Sequence, residues 1–399
     1  MLDPYTSGYT PGRRVALYSH DTVGLGHTRR NLLIAEVLAQ APFSADVLLV
    51  TGSRTASHFP MPTGVDCVTL PALSKNAAGE YGAKTLDLPL GELTRLRNTL
   101  IRSALEAFAP DVFIVDKVPA GALGELTNVL PALKTRGIKV VLGVRDILDD
   151  PESVRTDWAT SQNVQLIDEV YDEVWVYGDS DVYDVAKAGA FPPALSKRLH
   201  YVGYLNPRER GVTRPRSTPE PFSLCLVGGG QDGAALAETF ARARYPKGQR
   251  GILVTGPHMP KETKNRLFDI AAARDDLSVH GFLPEPTTLL REAAQVVTMG
   301  GYNTVTEVLA WGKPALIVPR TTPRTEQLIR AKRFARLNLC DLLHPDALTP
   351  AALGAWLSRP KDHLAPSSLP LNGLHNLVKR LSETFFILPE EVSYALATD

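Results

Sequence analysis

The chain has 399 residues, with 43 Lys and Arg balanced by 43 Asp and Glu, which excludes a whole-chain field for drawing in nucleic acid or anionic lipid. An apolar content of 44% with 22% charged residues is globular composition, and at about 150 residues per domain the length suggests two or three domains. The three cysteines (Cys67, Cys225 and Cys340) form no CxxC pair and are odd in number, which argues against a disulfide framework and fits a reducing cytoplasm. No window approaches the roughly 20 apolar residues of a membrane span, and "MLDPYTSGYTPGRR" has no signal-type core, so a cytoplasmic chain without a transmembrane segment is expected.

Short β-branched runs alternate with longer helical patterns. "RRVALYS" (13–19), "ADVLLVTG" (45–52), "VDCVTL" (65–70), "DVFIVD" (111–116), "KVVLGV" (139–144) and "EVWVYG" (173–178) predict buried strands bounded by Gly, Pro or Asp. Helices are expected over 28–39, 90–108 and 120–135. Such alternation predicts a parallel sheet covered on both faces. Residues 201–222 then hold four Pro and four Arg without apolar periodicity, which marks 204–220 as a linker. The pattern restarts with "FSLCLVGGG", "RGILVTG", "LSVHGFL", "AQVVTMGG" and "KPALIVPR", interleaved with helices over 233–244, 261–274, 286–293, 303–311 and 325–337. "LHNLVKRLSETFF" and "PEEVSYALA" add helix-like pieces at the end. The expected organisation is α/β: a Rossmann-like domain over 1–203, the linker, a second over 221–368, and helices over 369–399 that pack back on the first domain. Two doubly wound parallel sheets of this kind face a central cleft and bind ligands at the carboxyl ends of their strands.

Several polar clusters fall at those ends. "SHDTVGLGHTRR" follows the first strand and brings together His20, Asp21, Gly24, Gly26, His27 and Arg29. By itself it is open to three readings: a phosphate cradle, a catalytic loop, or an ordinary strand-to-helix turn. Asp116 and Lys117, and Arg145 and Asp146, likewise follow strands, where substrate binding and a helix-cap or ion-pair role are both open. The amphipathic run 88–108 reads as a surface helix with Arg95, Arg97 and Arg102 solvated, a peripheral membrane contact being the other reading. In the second half a strand ends at Gly300-Gly301, and a helix begins near Asn303 and Thr304 with Glu307 one turn in. Free amides and a positive helix end there suit a diphosphate, and Glu307 can accept both hydroxyls of a ribose. The alternative is a capped helix start with Glu307 closing a capping box.

The longer string "GGYNTVTEVLAWGKPALIVPRTTPRTEQ" resembles the donor-site signature of GT-B glycosyltransferases of the MurG type, with Gly300, Gly301, Thr304, Glu307, Gly312, Pro314, Pro319 and Gln327 at its anchors. The resemblance implies that Glu307 holds the ribose, that Tyr302, Asn303 and Thr304 contact phosphate and sugar, and that Gln327 contacts sugar hydroxyls. Glu326 stands where the family often has a second Gln, which bears on the identity of the sugar. "LVGGGQDG" resembles the family's glycine loop, giving Gly228, Gly229, Gly230 and Gln231 to the pyrophosphate. "VHGFLPE" resembles the base-contacting loop, with Phe282 and Leu283 beside a uracil. By the same resemblance "GLGH" lies on the acceptor side. His27 is then the catalytic base with Asp21 beside it, and Gly24, Gly26, His20, Arg29, Asp116, Lys117, Arg145 and Asp146 meet the acceptor. A His at a helix N-terminus has its cation disfavoured and stays basic near neutrality.

The expected function is transfer of a sugar from a nucleotide diphosphate sugar, a UDP-sugar such as UDP-N-acetylglucosamine by resemblance, to an acceptor hydroxyl. No cofactor or metal is expected, because helix dipoles, loop amides and Arg320 or Arg324 meet the diphosphate charge. The alternatives are a sugar-nucleotide epimerase or hydrolase on the same scaffold, using Glu326 and Asp232, and a non-catalytic nucleotide-sugar-binding subunit.

Overall fold

A computed structural model describes residues 12–386, apart from 22–25, 55, 57–58, 76–79, 161–162, 210–219, 284, 363 and 365–368. Gly24, most of the expected linker and the "PEEVSYALA" piece therefore lie outside the described residues. The chain divides into two compact units. The first is Met1–Gly143, Gln165–Trp175 and His375–Asp399, and the second is Val144–Val164 and Val176–Leu374.

The first half runs β1 (Arg14–Ser19), α1 (Gly26–Ala39), β2 (Asp46–Thr51), β3 (Val65–Thr69), β4 (Leu73–Lys75), β5 (Tyr81–Ala83), α2 (Leu90–Phe108), β6 (Val112–Asp116), α3 (Val129–Thr135), β7 (Lys139–Arg145), α4 (Pro151–Thr160), α5 (Asn163–Val170), β8 (Glu173–Tyr177) and β9 (Leu199–Tyr201). Its main sheet has the order β3-β2-β1-β6-β7-β8-β9. The pairs β1–β2, β2–β3, β1–β6 and β6–β7 are all parallel. β4 and β5 form a separate antiparallel hairpin. Val15, Leu17, Val112, Val140 and Leu142 are fully buried, as strands covered on both faces require.

The second half runs β10 (Phe222–Leu226), α6 (Ala234–Arg242), β11 (Arg250–Val254), α7 (Lys261–Ala272), β12 (Leu277–His280), α8 (Thr287–Glu292), β13 (Gln295–Thr298), α9 (Tyr302–Ala310), β14 (Ala315–Ile317), α10 (Glu326–Arg336), β15 (Asp341–Leu342), α11 (Pro350–Ser358) and α12 (Gly373–Thr384). The sheet order is β12-β11-β10-β13-β14-β15, parallel throughout. Its core gathers Phe240, Leu253, Leu267, Val297, Leu316 and Trp356.

Both sheets are wound outward from a central pair of strands. From β1 the chain moves to β2 and β3, then returns to β6 and moves the other way. From β10 it moves to β11 and β12, then returns to β13. Each sheet thus has a switch point, between β1 and β6 and between β10 and β13, where the loops diverge and leave a crevice for a ligand.

Two expectations need correction. The helix expected over 120–135 is a 3-10 turn at Ala122–Gly124 followed by the short α3. Gly121, Leu123 and Gly124 all have positive φ, which a continuous helix cannot hold. Arg97 of α2 is not solvated but fully buried. Its Nε and Nη2 donate to the two Glu125 oxygens at 2.5 and 2.8 Å, Nη1 donates to the Pro71 carbonyl, and the Tyr18 hydroxyl donates to the same carboxylate. Arg95 and Arg102 are exposed as expected.

Candidate functional site

In the first unit the switch point holds the end of β1, the start of α1 and the end of β6. Asp21, at φ 38°, is buried. Its carboxylate accepts from the Ser19 hydroxyl, the Thr51 hydroxyl at 2.9 Å and the Thr28 backbone N–H at 3.1 Å. The last of these three donors is one of the orphan amides of the first helical turn. Asp21 therefore anchors the start of α1.

His27 is the second residue of α1. Its Nδ1 lies 2.5 Å from Asp116 Oδ2, at the end of β6. Arg30, one turn further along α1, places Nη2 2.6 Å from each Asp116 oxygen and 3.0 Å from His27 Nδ1. Since the Asp116 carboxylate only accepts, Nδ1–H donates to it and Nε2 keeps the lone pair, and the nearby Arg30 Nη2 spends its hydrogens on Asp116 rather than on Nδ1. The imidazole is oriented by a carboxylate, and the carboxylate is itself braced by a buried arginine. Burial raises the Asp116 pKa, but the Arg30 guanidinium and His27 overcome it and hold the carboxyl well below the usual carboxylate range. Burial lowers the His27 pKa from its ordinary value, with Asp116 opposing and Arg30 reinforcing the shift. His27 is thus neutral near pH 7 and fixed in one tautomer, as a general base requires.

His20 lies beside it, with ring centroids 4.9 Å apart. Burial, and then the charge of His27, lower its pKa well below the ordinary value. Among the described residues its buried Nδ1 has no hydrogen-bond partner. Asp116 is thus paired with His27 and Arg30, whereas an acceptor contact was expected. Lys117 follows it at φ 71° with its N–H on the Gly143 carbonyl. Arg29 is half-buried in the same turn of α1, and Gly26 is exposed at its start.

In the second unit the switch point carries two glycine-led turns. After β10, Gly228 has φ 62° and nothing within 4 Å of where a Cβ would stand. Gly230, at φ 90°, lies so close to the Thr255 carbonyl that a Cβ would come within 2.2 Å of its oxygen. Gly229 accepts from the His258 N–H at 2.8 Å. Gln231 is exposed, and α6 begins after Gly233 with no side-chain cap. After β13, Gly300 has φ 82°, and Gly301 stands at the N-cap of α9, again with no side-chain cap and open space at its Cβ position. Two neighbouring helix starts thus offer backbone N–H groups without side-chain competition.

The N-cap is Gly301, so no capping box involves Glu307. It lies a turn and a half into α9, buried, with Thr287 Oγ1 3.5 Å from Oε1. Asn303 and Thr304 are half-buried and Tyr302 is buried. Phe282 is 40% exposed, so its ring is surface rather than core, and Leu283 is half-buried. Gln327 accepts from the Arg320 N–H at 2.9 Å. Arg320 itself bridges two carboxylates, with Nη1 2.6 Å from Asp232 and Nη2 2.7 Å from Glu326.

Arg145 and Asp146 do not fall in the first unit at all. Asp146 is buried, and Arg330 grips it through Nε and Nη2 at 2.6–3.2 Å, so its carboxylate is not left for an acceptor. Arg330 and Asp149 were not singled out from sequence, and Arg30 only as added charge beside His27. Arg30 had a usable signal in its i+3 spacing from His27 on one helix face. For Arg330 no local pattern separates it from Arg333 or Arg336.

Two parallel doubly wound sheets, one with a braced His–Asp pair and the other with uncapped glycine turns at its switch point, define the GT-B class of fold. The comparisons with known proteins agree. Residues 223–362 match the glycosyltransferase family 28 C-terminal domain. The UDP-N-acetylglucosamine–N-acetylmuramyl-(pentapeptide) pyrophosphoryl-undecaprenol N-acetylglucosamine transferase of Haemophilus ducreyi is 23% identical over 57% of this chain and 65% of its own length, slightly under two thirds. The enzyme of the same name from Solidesulfovibrio magneticus is 25% identical over 74% of each chain. Acinetobacter baumannii MurG superposes with a TM-score of 0.56 at 17% identity, over 93% of this chain and all of that one. Residues 223–362 thus match a glycosyltransferase family 28 C-terminal domain, in a chain that shares the GT-B fold and is similar to MurG-type glycosyltransferases. Among the described residues no helix is long and apolar enough to cross a membrane.

Proposed function

We propose that the chain transfers a sugar from a UDP-sugar to an acceptor hydroxyl without a metal ion, in the cytoplasm. The observation that carries this reading is the second unit's switch point, where two uncapped, glycine-led helix starts and the buried Glu307 lie inside the family 28 domain. The amides of 228–233 and 300–304 would bind the diphosphate. Glu307 would accept the ribose hydroxyls. The exposed Phe282 ring would cover the base, and Glu326 and Gln327 would face the sugar.

On the acceptor side, the hydroxyl proton passes to His27 Nε2 as the oxygen bonds to the anomeric carbon. The bond from that carbon to the β-phosphate oxygen breaks, and UDP leaves with the electron pair. Asp116 stabilises the imidazolium that forms. Lys117, Arg29 and the neutral His20 would line the acceptor.

A thermal-shift screen of nucleotide sugars tests the reading. A donor at ~100 times its Kd stabilises by about 2.7 kcal/mol. UDP-sugars should give this shift, and the responding donor should yield UDP only when an acceptor is present. No response to any nucleotide sugar, or conversion of the donor by itself to an epimer, contradicts it.

A further inference from the structure

We propose that Arg330 is a positioning residue for the donor turn: it fixes the Gly300–Gly301 peptide so that the Gly301 N–H is presented to the donor diphosphate. The inference rests on the donor-site reading above and assigns a task to a buried residue that reading does not use.

Arg330 lies in the second turn of α10 and is 1% exposed. Each of its three nitrogens is engaged. Nη1 donates to the Gly300 carbonyl at 3.0 Å, Nε and Nη2 donate to Asp146, and Nη2 also lies 3.4 Å from the Ile147 carbonyl. Asp146 is in turn fixed by the Ile147 N–H at 2.8 Å and the Tyr204 hydroxyl at 3.3 Å. Tyr204 stacks on Tyr302, the first residue of α9, with ring centroids 6.2 Å apart.

The Gly300–Gly301 peptide is trans, and in a trans peptide the C=O and N–H point in opposite directions. Gripping the Gly300 oxygen from the buried side therefore turns the Gly301 N–H away from Arg330. The Gly301 Cβ position beside this amide is open, with nothing within 4 Å. That amide heads α9 and is not spent on the helix, whose first bond at this point uses the Gly301 carbonyl, accepting from Val305 N at 3.0 Å. Gly300 at φ 82° is a conformation with little intrinsic preference for this orientation, so an external grip is needed to hold it. The same β7–α4 loop braces the neighbouring helix start: Asp149 Oδ1 accepts from the Thr325 N–H at 2.8 Å, just before Glu326 and Gln327. Lysine cannot reproduce the grip, because a point charge pairs with Asp146 but lacks the fork that reaches Gly300 as well.

The test is calorimetric titration of the full chain with UDP and with uridine, which lacks the diphosphate. Arg330→Lys should raise the Kd for UDP about 10-fold and leave that for uridine within twofold. Gly301 has φ −62° and an open Cβ position, so Gly301→Pro deletes the N–H without demanding a new backbone. It should show the same selective loss even where Arg330→Lys folds poorly. Adding Arg330→Lys to Gly301→Pro should cost no further UDP affinity, since both act on one amide. Parallel loss of UDP and uridine, full UDP affinity in Gly301→Pro, or additive effects in the double variant would overturn the proposal. Failure of the donor reading looks different: wild-type UDP affinity would then be insensitive to Glu307→Gln, and this inference would fall with it.

Discussion

Asp116→Asn tests the coupling between base and fold most sharply. The carboxylate is 1% exposed and receives His27 Nδ1 at 2.5 Å and Arg30 Nη2 at 2.6 Å on both oxygens. An amide has one acceptor oxygen, and its NH2 group must face a donor. If the oxygen stays with Arg30, the NH2 confronts Nδ1, and the imidazole must move its proton to Nε2, where no base remains. General-base catalysis contributes about 10²–10⁴-fold. At 1.36 kcal/mol per decade this is roughly 2.7–5.4 kcal/mol of barrier. The same change leaves Arg30 buried without its counter-charge, which costs about 3–5 kcal/mol. At roughly 2–4 °C per kcal/mol for domains of 150–250 residues, Tm should fall by ~6–20 °C. Initial rates at saturating donor, below the new Tm, should drop by about 10²–10⁴, while the UDP Kd should be unchanged. A folded Asp116→Asn protein whose kcat lies within about threefold of wild type would refute the assignment of His27 and Asp116.

The remaining predictions concern the charges around these groups. Burial and Arg30 lower the His27 pKa, so activity should persist below the ordinary imidazole value of about 6.5 before its acid limb falls. Arg30→Met removes a cation that opposes protonation of His27, so this limb should move to higher pH in a pH–rate profile; an unmoved limb contradicts the assigned base. Asp116 is depressed in the fold, so its contribution to stability is full above the unfolded value of about 3.9 and is lost as pH falls from there towards the folded value. Arg97→Met should cost about 3–5 kcal/mol in denaturant unfolding by stranding the buried Glu125. Arg102→Ala, on the exposed face of the same helix, should leave the midpoint in place.

What could be read from the sequence was local. The strand runs were legible because β-branched residues were bounded by Gly, Pro or Asp, and His27 because it closed a glycine loop at a helix start. Pairings made across the chain were not. Asp116 joins His27 from 89 residues away, and Asp146 meets Arg330 across 184. Both aspartates stand at the ends of buried strands and look alike in sequence; one pairs with His27 and the other with Arg330. Arg97 looked like its solvated neighbours because its burial depends on Glu125, 28 residues further on. The broken helix at 122–124 left one local trace, Gly121 and Gly124, residues that accept the positive φ they hold there.

The central claim is that the second unit binds a uridine nucleotide with its ribose on Glu307. Calorimetric titration of UDP into wild type and Glu307→Gln measures this directly. The wild type should bind one UDP per chain, and the variant should bind at least about tenfold more weakly, a difference of about 1.4 kcal/mol, because a carboxylate accepting two hydroxyls is replaced by an amide with one acceptor. Equal UDP affinity in the two proteins would contradict the account.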